Sequence, residues 1–202
     1  MNGERGFGYA GTSPAASVLK GVIGAVIGAL PGMLLMIILG KIGIITSWSG
    51  LLLAAGEVFV YSRLTKDDDP PVAAGLITLI AVTVLAVYLS ERIVWCWELS
   101  EAFRDSVPSW RSELLSTYQT QYPDHTMSEI DSLLSKELGV NWFEDMVEDY
   151  YGIRNGSFSE CFSHFSKLLT AFEMKGRFIG SFFKSFAFAA LGGAALFAKT
   201  GV

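Results

Sequence analysis

Four stretches of the chain are almost free of charged residues. They cover residues 18–39, 44–61, 72–89 and 178–198, and the charges within them are Lys20, Glu57 and Lys184. The first stretch has 22 residues, which as an α-helix would span about 33 Å, enough to cross a hydrocarbon core of about 30 Å. Apolar stretches of this length are difficult to place inside a small soluble domain. The pattern therefore predicts an all-α integral membrane protein with four transmembrane helices.

Polar and aromatic residues mark where these helices should leave the membrane. A polar run over residues 63–71 predicts a turn between the second and third helices. Trp95 and Trp97 follow the third helix, as is typical of aromatic anchors at the lipid headgroups. We therefore predict a flexible tail over residues 1–17, three transmembrane helices over 18–97, an amphipathic helical insert over 98–175 and a fourth transmembrane helix over 176–202.

Small residues follow one face of the first, second and fourth predicted helices. Helices associate in lipid through close backbone approach, which small residues permit. We expect such contacts at four glycines, namely Gly24, Gly28, Gly50 and Gly180. Pro31 and Gly32 fall near the middle of the first helix and predict a kink or a break there.

Glu57 and Lys184 are the candidate functional charges inside these helices. Ionisable groups in a membrane span are energetically unfavourable and often mark a pathway or a pair. Three interpretations stay open: each side chain extends to a nearby interface, each forms a structural ion pair, or each belongs to a transport or proton-relay path. Expected depth in the membrane favours Lys20 or Lys199 as a partner of Glu57, and Glu91 as a partner of Lys184.

The insert contains the sequence signals of short amphipathic helices. Two pairs have the spacing of a capping box, namely Thr126 with Glu129 and Ser157 with Glu160. Gly139 and Gly152 predict the ends of two helices, and Asn141 is a candidate cap for the helix between them. The helix after the second capping box is predicted to run through Phe172 and to lie on the membrane surface with its aromatic face.

Charge is scarce and unevenly distributed. Charged residues make up 17% of the 202 residues and hydrophobic residues 51%, whereas a soluble domain is about 25% charged. The net charge of −5 divides into 0 over residues 1–97, −9 over 98–166 and +4 over 167–202. Nucleic-acid binding needs clustered Lys and Arg, so this distribution argues against a nucleic-acid partner. The acidic residues within 144–149 are either a solvated helix face or a site for a cation or a basic partner.

Signatures of catalysis, cofactor binding and metal binding are missing from the sequence. It contains no HExxH, G-x-S-x-G or Walker motif, and no G-x-G-x-x-G motif that accompanies a predicted strand. Both histidines lie outside the predicted spans, so no Ser–His pair is available within the membrane. We therefore predict no catalytic residue, no cofactor and no metal site. Cys96 lies just before the insert and Cys161 lies within it. Both are expected to be free thiols, with a disulfide as the alternative in an oxidising compartment.

The run from Gly21 to Pro31 reads Gly-Val-Ile-Gly-Ala-Val-Ile-Gly-Ala-Leu-Pro. It resembles the opening of an uncharacterised family of small bacterial integral membrane proteins, whose members repeat Gly-Ala-x-x-Gly before a mid-helix Pro. Residues 85–90 and 168–177 are similar to that family in order and spacing, whereas the insert is not. The chain departs from the pattern at Gly32, where the family has Trp, and it lacks the family's cytosolic zinc-binding N-terminal extension. The resemblance implies cytoplasmic termini and no particular activity.

Two functions are compatible with these features. The first is a non-enzymatic, multi-pass protein of the cell membrane that acts through contacts with the bilayer and with protein partners. Those partners are a second copy of the chain or another membrane protein, with the acidic insert as docking surface. The alternative is a small oligomeric transporter or channel with its site at the broken first helix, because half-helix ends near the midplane can bind ions.

Overall fold

The computed structural model describes residues 13–42, 47–66 and 71–200. Within these ranges the helices are α1 (Pro14–Lys41), α2 (Ser47–Thr65), α3 (Val72–Gln121), α4 (Met127–Leu138), α5 (Trp142–Tyr151), α6 (Phe158–Ser163), α7 (Phe165–Ala171) and α8 (Lys175–Thr200). No strand occurs in these ranges, so the prediction of an all-α chain is confirmed. Most of the predicted tail and residues 67–70 of the predicted polar turn lie outside the described residues.

Three of the described helices are long and apolar enough to cross a membrane. These candidate spans are Ala15–Lys41 in α1, Val72–Gln121 in α3 and Lys175–Ala195 in α8. The length and composition of these helices are therefore consistent with a membrane protein. The remaining predicted span coincides with α2, which is not among these candidates over its described residues.

α1 begins earlier than the apolar pattern predicts. Ser13 has an extended backbone, and its side chain accepts a hydrogen bond from the backbone N–H of Ala16 over 3.3 Å. Pro14 follows within the first turn of α1. A backbone N–H at this position would have no partner within the helix, so proline is tolerated there. Residues 14–17, predicted as part of a flexible tail, are therefore helical.

α3 does not end where the third apolar stretch ends. It runs without interruption for 50 residues and includes Pro108, so its length is about 75 Å at 1.5 Å per residue. This is more than twice the thickness of a hydrocarbon core. The predicted boundary at residue 97 is therefore a change of composition along one helix and not an end of the helix.

The chain divides into two compact units, and the division crosses both α3 and α8. The first unit combines the described residues up to Ser90 with those from Phe182 onward. The second unit is Glu91–Ser181. The insert predicted over residues 98–175 lies within this second unit.

The first unit is held together by close contact between α1 and α2. Gly28 lies directly against the backbone of Gly56, and a Cβ atom on either glycine would collide with the carbonyl oxygen of the other. Gly32 lies equally close to the backbone of Leu53. A Cβ atom on Gly24 would approach the Cα atom of Tyr61 to 3.2 Å. Side chains larger than hydrogen at these positions would separate the two helices.

The second unit contains the short helices that the capping signals predict. Both capping boxes are formed, and Gly139 and Gly152 end α4 and α5 with positive φ angles. Asn141 precedes α5 but makes no side-chain capping hydrogen bond. The helix predicted to run from Ser157 to Phe172 is interrupted at His164, which separates α6 from α7.

The aromatic face of α6 and α7 packs inside the second unit. Phe165, Leu168 and Leu169 are buried. The Arg92 guanidinium lies 4.1 Å from the ring centroid of Phe162 and donates a hydrogen bond to the carbonyl of that residue over 2.5 Å. The prediction that this face lies on the membrane is therefore wrong, because its apolar side chains form part of a protein core.

Candidate functional site

Glu57 on α2 is enclosed within the first unit. The residue is 1% exposed, and the Thr83 hydroxyl on α3 donates a hydrogen bond to Glu57 Oε2 over 2.5 Å. The other carboxyl oxygen, Oε1, has no hydrogen-bond partner among the described residues. The Glu57 side chain therefore does not extend to an interface, and the hydrogen bond it does make comes from a hydroxyl group.

Glycines on the neighbouring helices make room for polar side chains of α2. A Cβ atom on Gly28 would lie 2.8 Å from the Cα atom of Glu57. One turn further along α2, the Tyr61 ring passes close to Gly21 of α1, and its hydroxyl lies against Gly75 of α3. Two residues without side chains thus flank Tyr61 and allow the helices to close around it.

Of the kink or break predicted at Pro31 and Gly32, the break is not observed. α1 is continuous from Pro14 to Lys41 with Pro31 inside it. Gly32 has a different role, since it lies against Leu53 of α2. The ion site proposed for the alternative transporter function needs free half-helix ends, and a continuous α1 does not provide them.

α8 uses a different face for packing than the sequence argument predicts. A Cβ atom on Gly50 of α2 would lie 2.8 Å from the carbonyl oxygen of Ser185, and Ala189 lies next to the same glycine. By contrast, Lys184 is exposed, and Gly180 has open space where a side chain would be. α8 has small residues on several faces, so the positions of small residues do not by themselves predict which face packs against α2.

An aromatic groove of about 490 Å³ lies on the second unit. Its lining comes from α3 and α5, namely Trp110, Glu113, Leu114, Thr117, Phe143, Met146, Val147, Tyr150 and Tyr151. Tyr150 is 70% exposed and Met146 is 44% exposed. The groove therefore leaves aromatic and thioether groups exposed on the surface of this unit.

Stacked rings support one wall of this groove. Trp110 and Tyr151 lie 5.1 Å apart with an interplanar angle of 9°. Phe103 meets both rings edge-on at about 6 Å, with centroid distances of 5.9 Å and 6.0 Å. Aromatic pairs in these geometries are favourable beyond the area that they bury. The wall is therefore a preformed surface.

Two arginines pair with part of the acidic cluster within residues 144–149. Arg111 lies 3.0 Å from Asp131 and 3.6 Å from Glu144. Arg154 lies 3.0 Å from Asp145 and 3.5 Å from Glu148. The second unit nevertheless stays acidic, because Glu91–Ser181 contains eight Lys and Arg against fifteen Asp and Glu, a net charge of −7.

Both cysteines of the second unit are free and buried, so the disulfide alternative is wrong. Burial, with a further contribution from the Glu160 carboxylate, raises the pKa of Cys161 to about 11. Across the described ranges, no three His, Cys, Asp or Glu side chains are arranged to hold a metal ion.

Several residues of these sites have weak signals in the sequence. Trp95, predicted as a membrane anchor, is buried and meets Phe178 edge-on at 6.2 Å. Thr83 is one of three hydroxyl side chains in the apolar stretch 72–89, and Trp110 lies 40 residues before Tyr150 along the chain. Tyr61 has a stronger sequence signal, since it follows Glu57 by one helical turn and therefore lies on the same face of α2.

Comparison of the chain with known protein families, with characterised proteins and with solved structures finds no match. The similarity of the membrane part to an uncharacterised bacterial family therefore stays a prediction.

Proposed function

We propose that the chain is a four-span membrane protein that binds a protein partner through its second unit and performs no catalysis. α2 is the fourth span in this proposal. Its 19 residues extend about 28 Å as a helix, close to the thickness of a hydrocarbon core. The glycine contacts that join α2 to α1 are of the kind that associates helices in lipid.

The observation that carries the docking function is the exposed aromatic groove. Tyr, Trp and Met side chains are enriched at protein interfaces, and aromatic residues dominate binding energy there. Further large apolar residues of the second unit are exposed as well, among them Leu138 and Val140. A contiguous exposed apolar patch on a folded unit is typical of a contact surface.

The partner proposed for this groove is a positively charged protein segment with a bulky apolar side chain. The aromatic wall provides a place for the apolar side chain. Glu113 lines the groove, and the unit around it has a net charge of −7. Complementary charge raises the rate of association and selects the partner.

A peptide-binding experiment tests this proposal. The full chain is placed in nanodiscs of uncharged lipid and titrated with a labelled basic amphipathic peptide that contains one Trp, and with the same peptide after charge reversal. We expect the basic peptide to bind, and Tyr150→Ala to weaken its binding roughly tenfold, as for an interface hot spot. Tyr122→Ala is the matched control, because Tyr122 is also exposed but does not line the groove.

Two results would contradict the docking proposal. One is equal binding of the basic and the acidic peptide, which would remove the role of charge. The other is equal binding by the Tyr150→Ala and Tyr122→Ala variants, which would place the contact away from the groove.

A further inference from the structure

The Glu57 carboxyl group lies among α1, α2 and α3 and has one oxygen without a partner. The Thr83 hydroxyl donates a hydrogen bond to Glu57 Oε2. Oε2 therefore corresponds to the carbonyl oxygen of a protonated carboxyl group. Oε1 is buried and accepts no hydrogen bond from the described residues. We propose that Glu57 is a proton-binding site of the first unit, and that Oε1 is the atom that carries the proton.

Among the described residues, the following contacts with Glu57 or its helix provide no positive charge near its carboxyl group. On α1 the facing residue is Gly28, which has no side chain, and on α3 it is Thr83. α8 faces α2 with Ser185 and Ala189, both against Gly50. On α2 itself the nearest titratable group is Tyr61, whose hydroxyl lies against Gly75 of α3. With respect to the described residues, an ionised Glu57 would therefore be a buried charge without an opposite charge beside it, which is strongly unfavourable.

A proton fits this site better than a metal cation does. Ca²⁺ takes six to eight oxygen ligands and Mg²⁺ takes six. The described contacts of Glu57 offer two carboxyl oxygens and the single Thr83 hydroxyl. A proton needs only one oxygen, and Oε1 is free to receive it.

Occupancy of this site is linked to the packing of α1 against α2. Glu57 is adjacent to Gly56, and Gly56 forms the closest backbone contact with Gly28. Loss of the proton would place a negative charge beside this contact. We therefore expect the first unit to be less stable at alkaline pH than at mildly acidic pH.

Labelling with a hydrophobic carbodiimide tests the site directly. The reagent enters lipid and adds to protonated carboxyl groups: the carboxyl oxygen bonds to the central carbon, the proton moves to nitrogen, and no atom is lost. The full chain in lipid vesicles is labelled over a range of pH, digested and mapped by mass spectrometry. We expect label at Glu57 that decreases as pH rises and that is missing in Glu57→Gln.

Glu91→Gln is the matched control for this labelling. Glu91 is also buried, at 4% exposure, but it belongs to the second unit, and Ser181 donates a hydrogen bond to it over 2.8 Å. This variant should leave labelling at Glu57 unchanged. Thr83→Val should extend labelling of Glu57 to higher pH, because the carboxylate then loses the hydrogen bond that stabilises its ionised form.

Thermal unfolding gives a second measurement that does not depend on the reagent. The midpoint of the wild type should fall as pH rises, and this fall should be smaller in Glu57→Gln. An unlabelled Glu57 at mildly acidic pH, or the same pH dependence of the midpoint in both proteins, would overturn the proposal. If Glu57→Gln does not fold, the mapped label on the wild type and on Thr83→Val decides.

Discussion

Cys161 shows how burial changes the chemistry of a single side chain. Its thiol is completely buried, and its pKa is raised to about 11. The thiolate is the reactive form of cysteine. At neutral pH we expect N-ethylmaleimide to modify Cys161 about 100-fold more slowly in the folded chain than in the denatured chain, from the loss of thiolate alone.

The labelling rate of Cys161 is measured by quenching aliquots and quantifying the modified peptide by mass spectrometry. The denatured chain is the control and should be modified at both cysteines. Equal rates in the folded and denatured chains would show that the thiol is accessible, contrary to the structure.

At the residue scale, a charge within an apolar stretch identifies Glu57 as a candidate functional residue, but it does not identify Thr83 as its hydrogen-bond partner. A carboxylate inside a predicted span is unfavourable, so Glu57 was a candidate from the sequence alone. Thr83 was not, because a threonine in a helix can also hydrogen-bond its own backbone. The partner depends on which turn of α3 meets α2, and apolar periodicity does not encode that register.

At the scale of helices, the contact between α1 and α2 makes a direct prediction. Gly28→Leu should destabilise the protein by about 1–3 kcal/mol or more, since the new side chain must enter space occupied by the Gly56 backbone. Gly180→Leu, the same change on α8, meets open space and should alter stability by less than about 0.5 kcal/mol. Reversible unfolding of both variants in detergent measures the difference.

Comparable destabilisation by Gly28→Leu and Gly180→Leu would contradict this prediction. It would mean that replacing glycine by leucine destabilises the protein at any position of an apolar helix. A loss confined to Gly28→Leu would assign it to the close approach of α1 and α2.

Helix ends were predictable from the sequence where a capping residue makes a local hydrogen bond. The boxes at Thr126 and Ser157 depend on residues three positions apart, so the chain needs no tertiary contact to form them. The continuity of α3 was not predictable in this way. Its apolar character ends near residue 90 while its helix continues to Gln121, because hydropathy and helix formation are separate properties.

At the scale of the whole molecule, the number of spans determines which parts of the chain share a side of the membrane. With four spans, a cysteine introduced by Asn2→Cys and one introduced by Val202→Cys should react with an impermeant thiol reagent from the same side. Asp124→Cys should react from the opposite side. Labelling of the three variants in sealed vesicles of known orientation measures this arrangement.

A three-span protein would give a different result in the same experiment. If α2 did not cross, Asp124→Cys would react from the side of Asn2→Cys, and Val202→Cys from the other. That outcome would contradict the four-span proposal.

The division of charge anticipated the division of the chain into units. The segment with net charge −9, residues 98–166, lies within the unit Glu91–Ser181. The groove on that unit could not be predicted. It needs Trp110 from α3 and Tyr150 from α5, and only the tertiary fold brings these residues to one surface.

Helix contacts between residues that are close in the sequence can form earlier during synthesis than contacts between distant residues. Gly28 and Gly56 are 28 positions apart, so α1 and α2 can pair while the rest of the chain is still being synthesised. Gly192 and Leu51 are 141 positions apart. At normal rates of translation, α8 is therefore synthesised on the order of 10 s after the part of α2 around Leu51. During that interval it is available to the insertion machinery or to other nascent helices.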